Sequence, residues 1–297
     1  MTKRMSASHF ALAAVVIIIW GSNFIVMKWG LDRMPPLAIC AWRFLLAFFP
    51  ACLFLRPPKG HWRLLASFGI LTGLGQFGLL SIAMRGLISP AMASVVVQTQ
   101  AFFNMGLAAL ILGERIKAAQ VIGCVVAACG LLTIGLFAGS TATSLGIILV
   151  LLAALSWSLS NVLLRRGHYE GDMISFMVWS GLFATVPLSL LSLAMDGPSA
   201  LLSPVLNFDL STAAIIAWQS YANSIFGYAA WNGLIRSYSL ARIAPLTLLV
   251  PVIAIGLAAW LLHEALTTWK IISALLIIGG VAIPHILNSK ALDASRA

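Results

Sequence analysis

The sequence predicts an all-α integral membrane protein with ten transmembrane helices, arranged as two inverted five-helix repeats. Of its 297 residues, 61% are hydrophobic and only 9% are charged, and the mean hydropathy is +1.01. The apolar residues form continuous blocks of about 20, the length that crosses roughly 30 Å of hydrocarbon as a helix. An internal repeat is the third observation. Because soluble domains carry about 25% charged residues, this composition excludes a water-soluble enzyme or binding module.

Charged and turn-forming residues divide the chain into ten candidate spans. Barrel strands would alternate in polarity, whereas these blocks are continuous, and a helix satisfies its own backbone hydrogen bonds in lipid. The predicted spans cover approximately residues 10–27, 35–55, 62–83, 91–112 and 119–135 in the first half, and 145–164, 174–195, 212–235, 244–262 and 269–287 in the second.

The basic residues predict the orientation. If the amino terminus is cytoplasmic and the loops alternate, 13 of the 18 Lys and Arg residues lie on the cytoplasmic side, four lie outside, and Arg43 lies within a span. The positive-inside rule then places both termini in the cytoplasm. The net charge of +10 is thereby explained without nucleic acid as a partner.

Two halves of the sequence match in order. Residues 106–114 read GLAALILGE and residues 256–264 read GLAAWLLHE, an offset of 150. Earlier matches have an offset of 137, as for Trp20 and Trp157. The change in offset falls after the second helix of each half, where residues 196–209 form an insertion. With five spans per unit, the second unit enters the membrane from the opposite side. The units are residues 1–139 and 140–297, and such inverted repeats are typical of alternating-access transporters.

Motifs along the whole chain resemble those of the EamA family in the drug/metabolite transporter superfamily. They are WGSNF at 20–24, Arg43-Phe44, GER at 113–115, ALSW at 154–157, and APL at 244–246 followed by Pro251 and Glu264. The resemblance implies a ten-helix transporter of two inverted repeats that exports small metabolites, often amino acids, from the bacterial cytoplasm. Within the family the chain looks most like amino-acid exporters. One departure is His263, where the first half has Gly113.

Polar and aromatic side chains in mid-span are the candidates for substrate binding, because in lipid they must face protein or a cavity. Trp20 and Asn23 share one helical face, as do Trp157 and Asn161, although both amides could instead bond neighbouring helices. Tyr221, Ser224, Tyr228 and Trp231 form a stripe on the eighth span. Gln76 on the third span and Trp179 on the seventh are further candidates for substrate binding. For Trp179 the alternative is simple packing against neighbouring helices.

Gln98 and Gln100 on the fourth span are included as alternatives to each other. Two residues apart on a regular helix, they differ by about 200° of rotation and do not face one cavity. The sequence does not indicate a kink that would reconcile them.

Three charged residues are predicted to have gating or structural roles. Arg43 lies within a span, where it either attracts a substrate carboxylate or pins loop carbonyls, the structural role being favoured. Glu114 and Glu264 lie at helix ends and are expected in a solvated corner or an interhelical bond. The absence of a mid-span Asp or Glu argues against direct proton coupling.

The sequence therefore predicts an inner-membrane exporter of amino acids and related small metabolites, facilitative or exchanging, in a multi-pass protein of the bacterial plasma membrane. Its partners are a small-molecule substrate and the bilayer, with no nucleic acid, obligate protein partner, cofactor, metal or catalytic residue. Efflux of cationic aromatic drugs is one alternative, favoured by cation–π attraction to tryptophan. An intramembrane enzyme acting on lipid is the other, disfavoured because the five histidines are scattered.

Overall fold

The computed structural model describes residues 6–137, 141–238 and 244–294, and every regular element in these ranges is a helix. Seven helices in them are long and apolar enough to cross a membrane, and an eighth span results if a pair bent by 107° counts as one. The chain is therefore a multi-pass, all-α membrane protein.

The first half contains five helical segments close to the predicted spans. They are α1, Ala7–Leu31; α2, Pro36–Phe48; α3, Trp62–Met84; α4, Pro90–Leu112; and α5, Ala118–Phe137. The second span is shorter as a regular helix than the predicted 35–55, because α2 gives way after Phe48 to a turn and a short 3-10 segment, Ala51–Leu53.

The second half begins with α6, Ser144–Arg166, and α7, Met173–Met195. A short helix, α8, Pro198–Leu206, occupies the insertion and was not predicted. The remaining helices are α9, built from Leu210–Ala217, Trp218–Phe226 and Gly227–Ser237; α10, Leu249–Leu261; and α11, Thr268–Ala294. The two last predicted spans correspond to shorter apolar stretches, Leu246–Leu261 and Thr268–Pro284. The expected unit boundary at 139 and 140 lies outside the described residues.

Side chains at the helix starts satisfy backbone N–H groups that the helix leaves unpaired. The Asp172 carboxylate accepts from the N–H groups of Ile174 and Ser175 at the start of α7. At the start of α9, Asp209 accepts from the Ser211 and Thr212 hydroxyls and from the N–H groups of the same two residues. These hydrogen bonds hold the pKa of Asp209 below its usual range, so the carboxylate is ionised at neutral pH.

Departures from α-helical geometry recur at corresponding places in the two halves. α3 contains a π-helical segment, Leu71–Gly78, and α9 contains another, Trp218–Phe226. α4 contains a 3-10 turn at Val97–Thr99, and α10 is preceded by one at Ala244–Leu248. When the first segment of each pair is shifted by 150 residues, it overlaps the second without coinciding with it. Such irregular turns are concentrated at functional sites, because they redirect side chains and free backbone groups.

The helices pack across the two halves in matched pairs. α1 lies against α10 and α6 lies against α4, while α2 packs on α7 and α5 packs on α11. Glycines show that the last contact is reciprocal at the residue level. A Cβ on Gly130 would lie 3.0 Å from the carbonyl oxygen of Ser273, and one on Gly280 would lie 2.5 Å from that of Gly123. Each pair is the other one shifted by 150 residues.

Candidate functional site: a cavity between the two halves

A cavity of about 250 Å³ lies between the two halves, and its lining comes from α1, α3, α4, α6, α9, α10 and the turn before α10. Eight of the twelve residues that the sequence singled out for substrate binding line it. They are Trp20, Asn23, Gln76, Gln98, Gln100, Trp157, Tyr228 and Trp231. Helices distant in sequence therefore bring predicted polar and aromatic side chains together at one place.

Gln98 and Gln100 both line the cavity, although they were alternatives on a regular helix. Gln98 lies in the 3-10 turn Val97–Thr99, and Gln100 is the first residue after that turn. Two residues apart, side chains on an α-helix are rotated by about 200°, so that about 160° separates them around the helix. With three residues per turn the separation falls to about 120°. The irregular turn therefore brings both amides to the same wall.

Four predicted residues do not line this cavity. Trp179 packs on Phe48, and its Nε1 donates a hydrogen bond of 3.0 Å to the carbonyl of Leu55. This contact is structural, and Trp42 makes its counterpart by donating to the Leu201 carbonyl at 2.7 Å. Among the described cavities, none has Asn161 or Tyr221 in its lining. Ser224 lines a smaller neighbouring cavity.

Tyr221 is 40% exposed because α9 is not a regular α-helix where the stripe was predicted. A π-helical turn contains about one extra residue, so the positions that follow are rotated relative to those before it. Tyr228 and Trp231 keep the cavity face, and Asn223 joins them in place of Tyr221. The sequence prediction missed Asn223 and Thr247 because it assumed an unbroken helical period.

Aromatic rings form one continuous side of the cavity. The ring centroids of Trp20 and Trp231 are 5.2 Å apart, and Tyr228 lies 5.8 Å from Trp20 and 5.9 Å from Trp157. Trp20 Nε1 donates to the carbonyl of Asn223 at 3.3 Å, which orients the indole. Gly227 leaves room for this ring, because a Cβ there would lie 2.5 Å from Trp20 Nε1. Such a surface suits an apolar or aromatic ligand group.

A second cavity of about 40 Å³ adjoins the first. The two share three side chains in their walls, Phe77, Trp157 and Tyr228. Polar groups in the smaller cavity are the hydroxyls of Thr72, Ser180 and Ser224. These rings therefore separate the two spaces.

Arg43 is fully buried behind this wall. Its Nε and Nη2 donate to the Ser224 hydroxyl at 3.3 and 3.1 Å, and Cζ lies 3.6 Å from the centroid of the Phe77 ring. The Ser220 hydroxyl donates to the Arg43 backbone carbonyl at 2.9 Å. Arg43 thus ties α2 to the π-helical segment of α9, and its described side-chain hydrogen bonds go to this segment and not to loop carbonyls.

Several buried polar atoms have no hydrogen-bond partner among the described residues. They are Asn23 Oδ1, Gln76 Oε1, Arg43 Nη1 and Gln219 Nε2. Since buried polar groups are nearly always paired in proteins, these atoms mark places where a ligand or solvent is expected. Two of them, on Asn23 and Gln76, belong to side chains in the cavity wall.

The two glutamates at the helix ends make interhelical ion pairs. Glu114 pairs with Arg165 of α6, and both side chains are about half exposed. Glu264 pairs with Lys270 of α11 at 2.8 Å and accepts from the Ser89 hydroxyl at 2.5 Å. Glu264 and Lys270 are only 12% and 5% exposed. Of the two environments expected from the sequence, Glu114 has the solvated corner and Glu264 has the interhelical bond, which is buried.

The fold and the cavity define the class of the protein: a bundle of membrane-spanning helices that encloses a polar and aromatic cavity is the architecture of a membrane transporter. A match to a family model identifies the transporter family. The EamA-like transporter family matches residues 8–136 and again residues 144–284. The chain belongs to this family, so it is a transporter.

Curated relatives are similar over nearly the whole chain. A protein of Salmonella typhimurium named "Probable amino-acid metabolite efflux pump" is 36% identical over 284 residues, which are 94% of this chain and 95% of that protein. Its namesake in Escherichia coli K12 is 35% identical over the same shares. "Uncharacterized transporter YoaV" of Bacillus subtilis is 26% identical, covering 90% of this chain and 92% of that one.

A solved structure, titled only "Crystal structure of protein", has a similar fold. Its TM-score is 0.63 at 22% sequence identity, and the match covers 95% of this chain and all of the other. At this identity the similarity concerns the fold alone.

Proposed function

We propose that this protein exports amino acids and related small metabolites from the cytoplasm across the bacterial inner membrane. The observation that carries the proposal is the cavity between two reciprocally packed halves, which is lined by both aromatic rings and amide side chains. The curated relatives at 35% and 36% identity, named as amino-acid metabolite efflux pumps, support the substrate class.

The mechanism proposed is alternating access between two inverted five-helix units, residues 1–139 and 140–297. Support comes from the family model, which matches twice, and from the reciprocal contacts of Gly130 and Gly280. A further pair agrees: Gly21 lies close to the Val250 carbonyl, and the Ser158 hydroxyl donates to the Gln100 carbonyl at 2.9 Å. Reciprocal contacts of this kind are what a two-fold axis produces, and an odd number of spans per unit places that axis in the membrane plane.

The cavity wall fits an amino acid by its chemistry. Trp20, Trp157, Tyr228 and Trp231 would cover an apolar side chain, whereas the amides of Asn23, Gln76, Gln98 and Gln100 would bind the charged groups. A mostly apolar pocket with a few placed polar groups is the usual form of a small-molecule site. Ser224 would contribute from the adjoining cavity.

Transport is proposed to be facilitative or by exchange, because neither cavity has a carboxylate in its described lining. Carboxylates that accept and release protons are the usual coupling groups of proton-driven pumps. Both termini are placed in the cytoplasm because the basic loops would then lie inside.

Efflux from proteoliposomes tests the proposal. Vesicles containing the purified protein are preloaded with labelled leucine, phenylalanine and cysteine, and loss of label is compared with that from empty vesicles. We expect efflux of at least one amino acid, reduced tenfold or more by Trp157→Ala, because this indole lines both cavities. Trp260→Ala is the matched control, since that indole is 72% exposed and lies away from the cavities. Efflux equal to empty vesicles for every solute would overturn the proposed function.

A further inference from the structure

Arg43 is a buried cation in a membrane-spanning helix, and no carboxylate among the described side chains pairs with it. The Arg43 side chain is completely inaccessible to solvent. Its described side-chain hydrogen bonds go to the Ser224 hydroxyl, which accepts from Nε and Nη2. Nη1 has no hydrogen-bond acceptor among the described residues. A buried, unpaired charge is costly in protein and more so within a bilayer, so an anion is expected to reach it during the working cycle.

The guanidinium lies next to the substrate cavities, not in a remote part of the bundle. Its immediate neighbours Phe44, Phe77 and Ser224 all line the smaller cavity, and Phe77 lines the central cavity as well. The Phe77 ring covers the guanidinium at 3.6 Å, close enough for a cation–π contact that stabilises the charge while no anion is present. Phe77 therefore contacts Arg43 and lines the central cavity at the same time.

The unpaired atoms of the site are of two kinds. Arg43 Nη1 is a charged donor, whereas Asn23 Oδ1 and Gln76 Oε1 are acceptors on side chains that line the central cavity. A zwitterionic α-amino acid presents the complementary pair, because its carboxylate accepts hydrogen bonds and its ammonium donates them. A cationic amine without a carboxylate would satisfy the acceptors but would meet an additional positive charge at Arg43.

We propose that Arg43 binds the substrate carboxylate and that Phe77 is the movable cover of this subsite. The proposal rests on the proposed export function and narrows its substrate class to compounds that carry a carboxylate. Asn23 and Gln76 receive the ammonium group, so amino acids fit better than plain carboxylic acids. Cationic drugs are excluded by the same charge.

The unaltered protein gives the first test. Efflux from proteoliposomes is measured for leucine, phenylalanine and cysteine and for the α-carboxamide of each, which keeps the amine and side chain but has no carboxylate. We expect each transported acid to leave at least tenfold faster than its amide, because a charged hydrogen bond is lost with the carboxylate. Equal rates for acid and amide would overturn the carboxylate subsite while leaving the export function intact. Failure of all acids and amides would overturn the export function instead.

Variants assign the effect to Arg43. In Arg43→Gln the preference for acid over amide should fall to within about twofold, and Arg43→Lys should retain part of it because the charge remains. Quenching of tryptophan fluorescence by the acid and the amide measures binding in detergent, without need of a transport cycle. In Phe77→Ala the acid should bind more tightly, since its subsite is no longer covered. A preference unchanged in Arg43→Gln would contradict the proposal. If that variant does not fold, the comparison of acid with amide and the Phe77→Ala binding result still decide it.

Discussion

Of the five amide side chains in the cavity wall, four come from the first half, and the equivalent positions of the second half carry no amide; the fifth, Asn223, comes from the second half. The offset is 137 on the first helix of each half, 149 on the third, where Phe77-Gly78 matches Phe226-Gly227, and 150 on the fourth. These offsets pair Asn23 with Ser160, Gln76 with Ile225, Gln98 with Leu248, and Gln100 with Val250. The tryptophans and tyrosines of the wall come mostly from the second half. Trp20 has its counterpart in Trp157, whereas Tyr228 and Trp231 correspond to Leu79 and Ile82. Backbone packing and substrate contact therefore obey different constraints: two similar helical units can be related by symmetry while the ligand they enclose is not symmetric.

The helix-end corners differ in the same way. Glu114 and Glu264 occupy equivalent positions, but only the second has a lysine on the following helix, since Gln120 stands where Lys270 would be. Glu114 accordingly pairs with Arg165 at an exposed site, and Glu264 pairs with Lys270 at a buried one. Equal sequence motifs thus have unequal energetic weight, because the value of an ion pair depends on its burial.

The largest expected effect comes from removing the charge of Glu264 in its buried ion pair with Lys270. Glu264→Gln leaves the Lys270 ammonium without a counter-ion at 5% exposure, and we expect the free energy of unfolding to fall by about 3 kcal/mol. Glu114→Gln, the matched control, should change it by less than about 1 kcal/mol. Unfolding by SDS in mixed micelles measures both. Similar losses in the two variants would show that burial does not distinguish the corners.

A double variant sharpens this result. In Glu264→Gln with Lys270→Met, no buried charge remains at the corner, so part of the lost stability should return. A double variant no more stable than Glu264→Gln would contradict the explanation by an uncompensated charge.

Asymmetry of the cavity walls predicts a loss of transport without a loss of stability. Gln76→Leu removes a buried amide whose Oε1 has no described partner. The free energy of unfolding should therefore stay the same or rise slightly. Efflux of a transported amino acid should fall by about 10- to 100-fold, the range expected for one hydrogen bond to a charged group. Ile225→Leu at the equivalent position is the control. Ile225 lines the smaller cavity, but the change keeps an apolar side chain of the same volume, so efflux should stay within twofold of the unaltered protein. Equal loss of efflux in both variants would refute the assignment of polar contacts to the first half.

Much of the fold follows from composition and pattern because the bilayer allows few alternatives. Continuous apolar blocks such as residues 119–135 can satisfy their backbone only as helices, and that segment is α5, Ala118–Phe137. The extra helix Pro198–Leu206 was missed since it lies in an insertion with two prolines and carries no span-length apolar block. Its role emerges only in three dimensions, where the Leu201 carbonyl accepts from Trp42.

Side chains of the site were predictable where the helix is regular and not where it is irregular. Trp20 and Asn23 share a face of α1 and both reach the cavity. Tyr221 lies outside the cavity lining because the π-helical segment shifts the face of α9, and local sequence gives no clear signal for such a turn. Ser224 was predicted as a ligand contact from the same stripe, but its contact with Arg43 required the packing of α2 on α9.

The smallest predicted effect tests the symmetric part of the comparison, the contact of α5 with α11. Gly130→Ala and Gly280→Ala should each lower the free energy of unfolding by about 1 kcal/mol, because the added Cβ would lie 3.0 Å or less from backbone atoms of the opposite helix. Gly135→Ala and Gly279→Ala on the same helices meet no atom within 4 Å and should be neutral. Unfolding in SDS micelles again provides the measurement. Since the two contacts are copies of each other, a marked loss in one glycine variant and none in the other would show that this interface is not reciprocal.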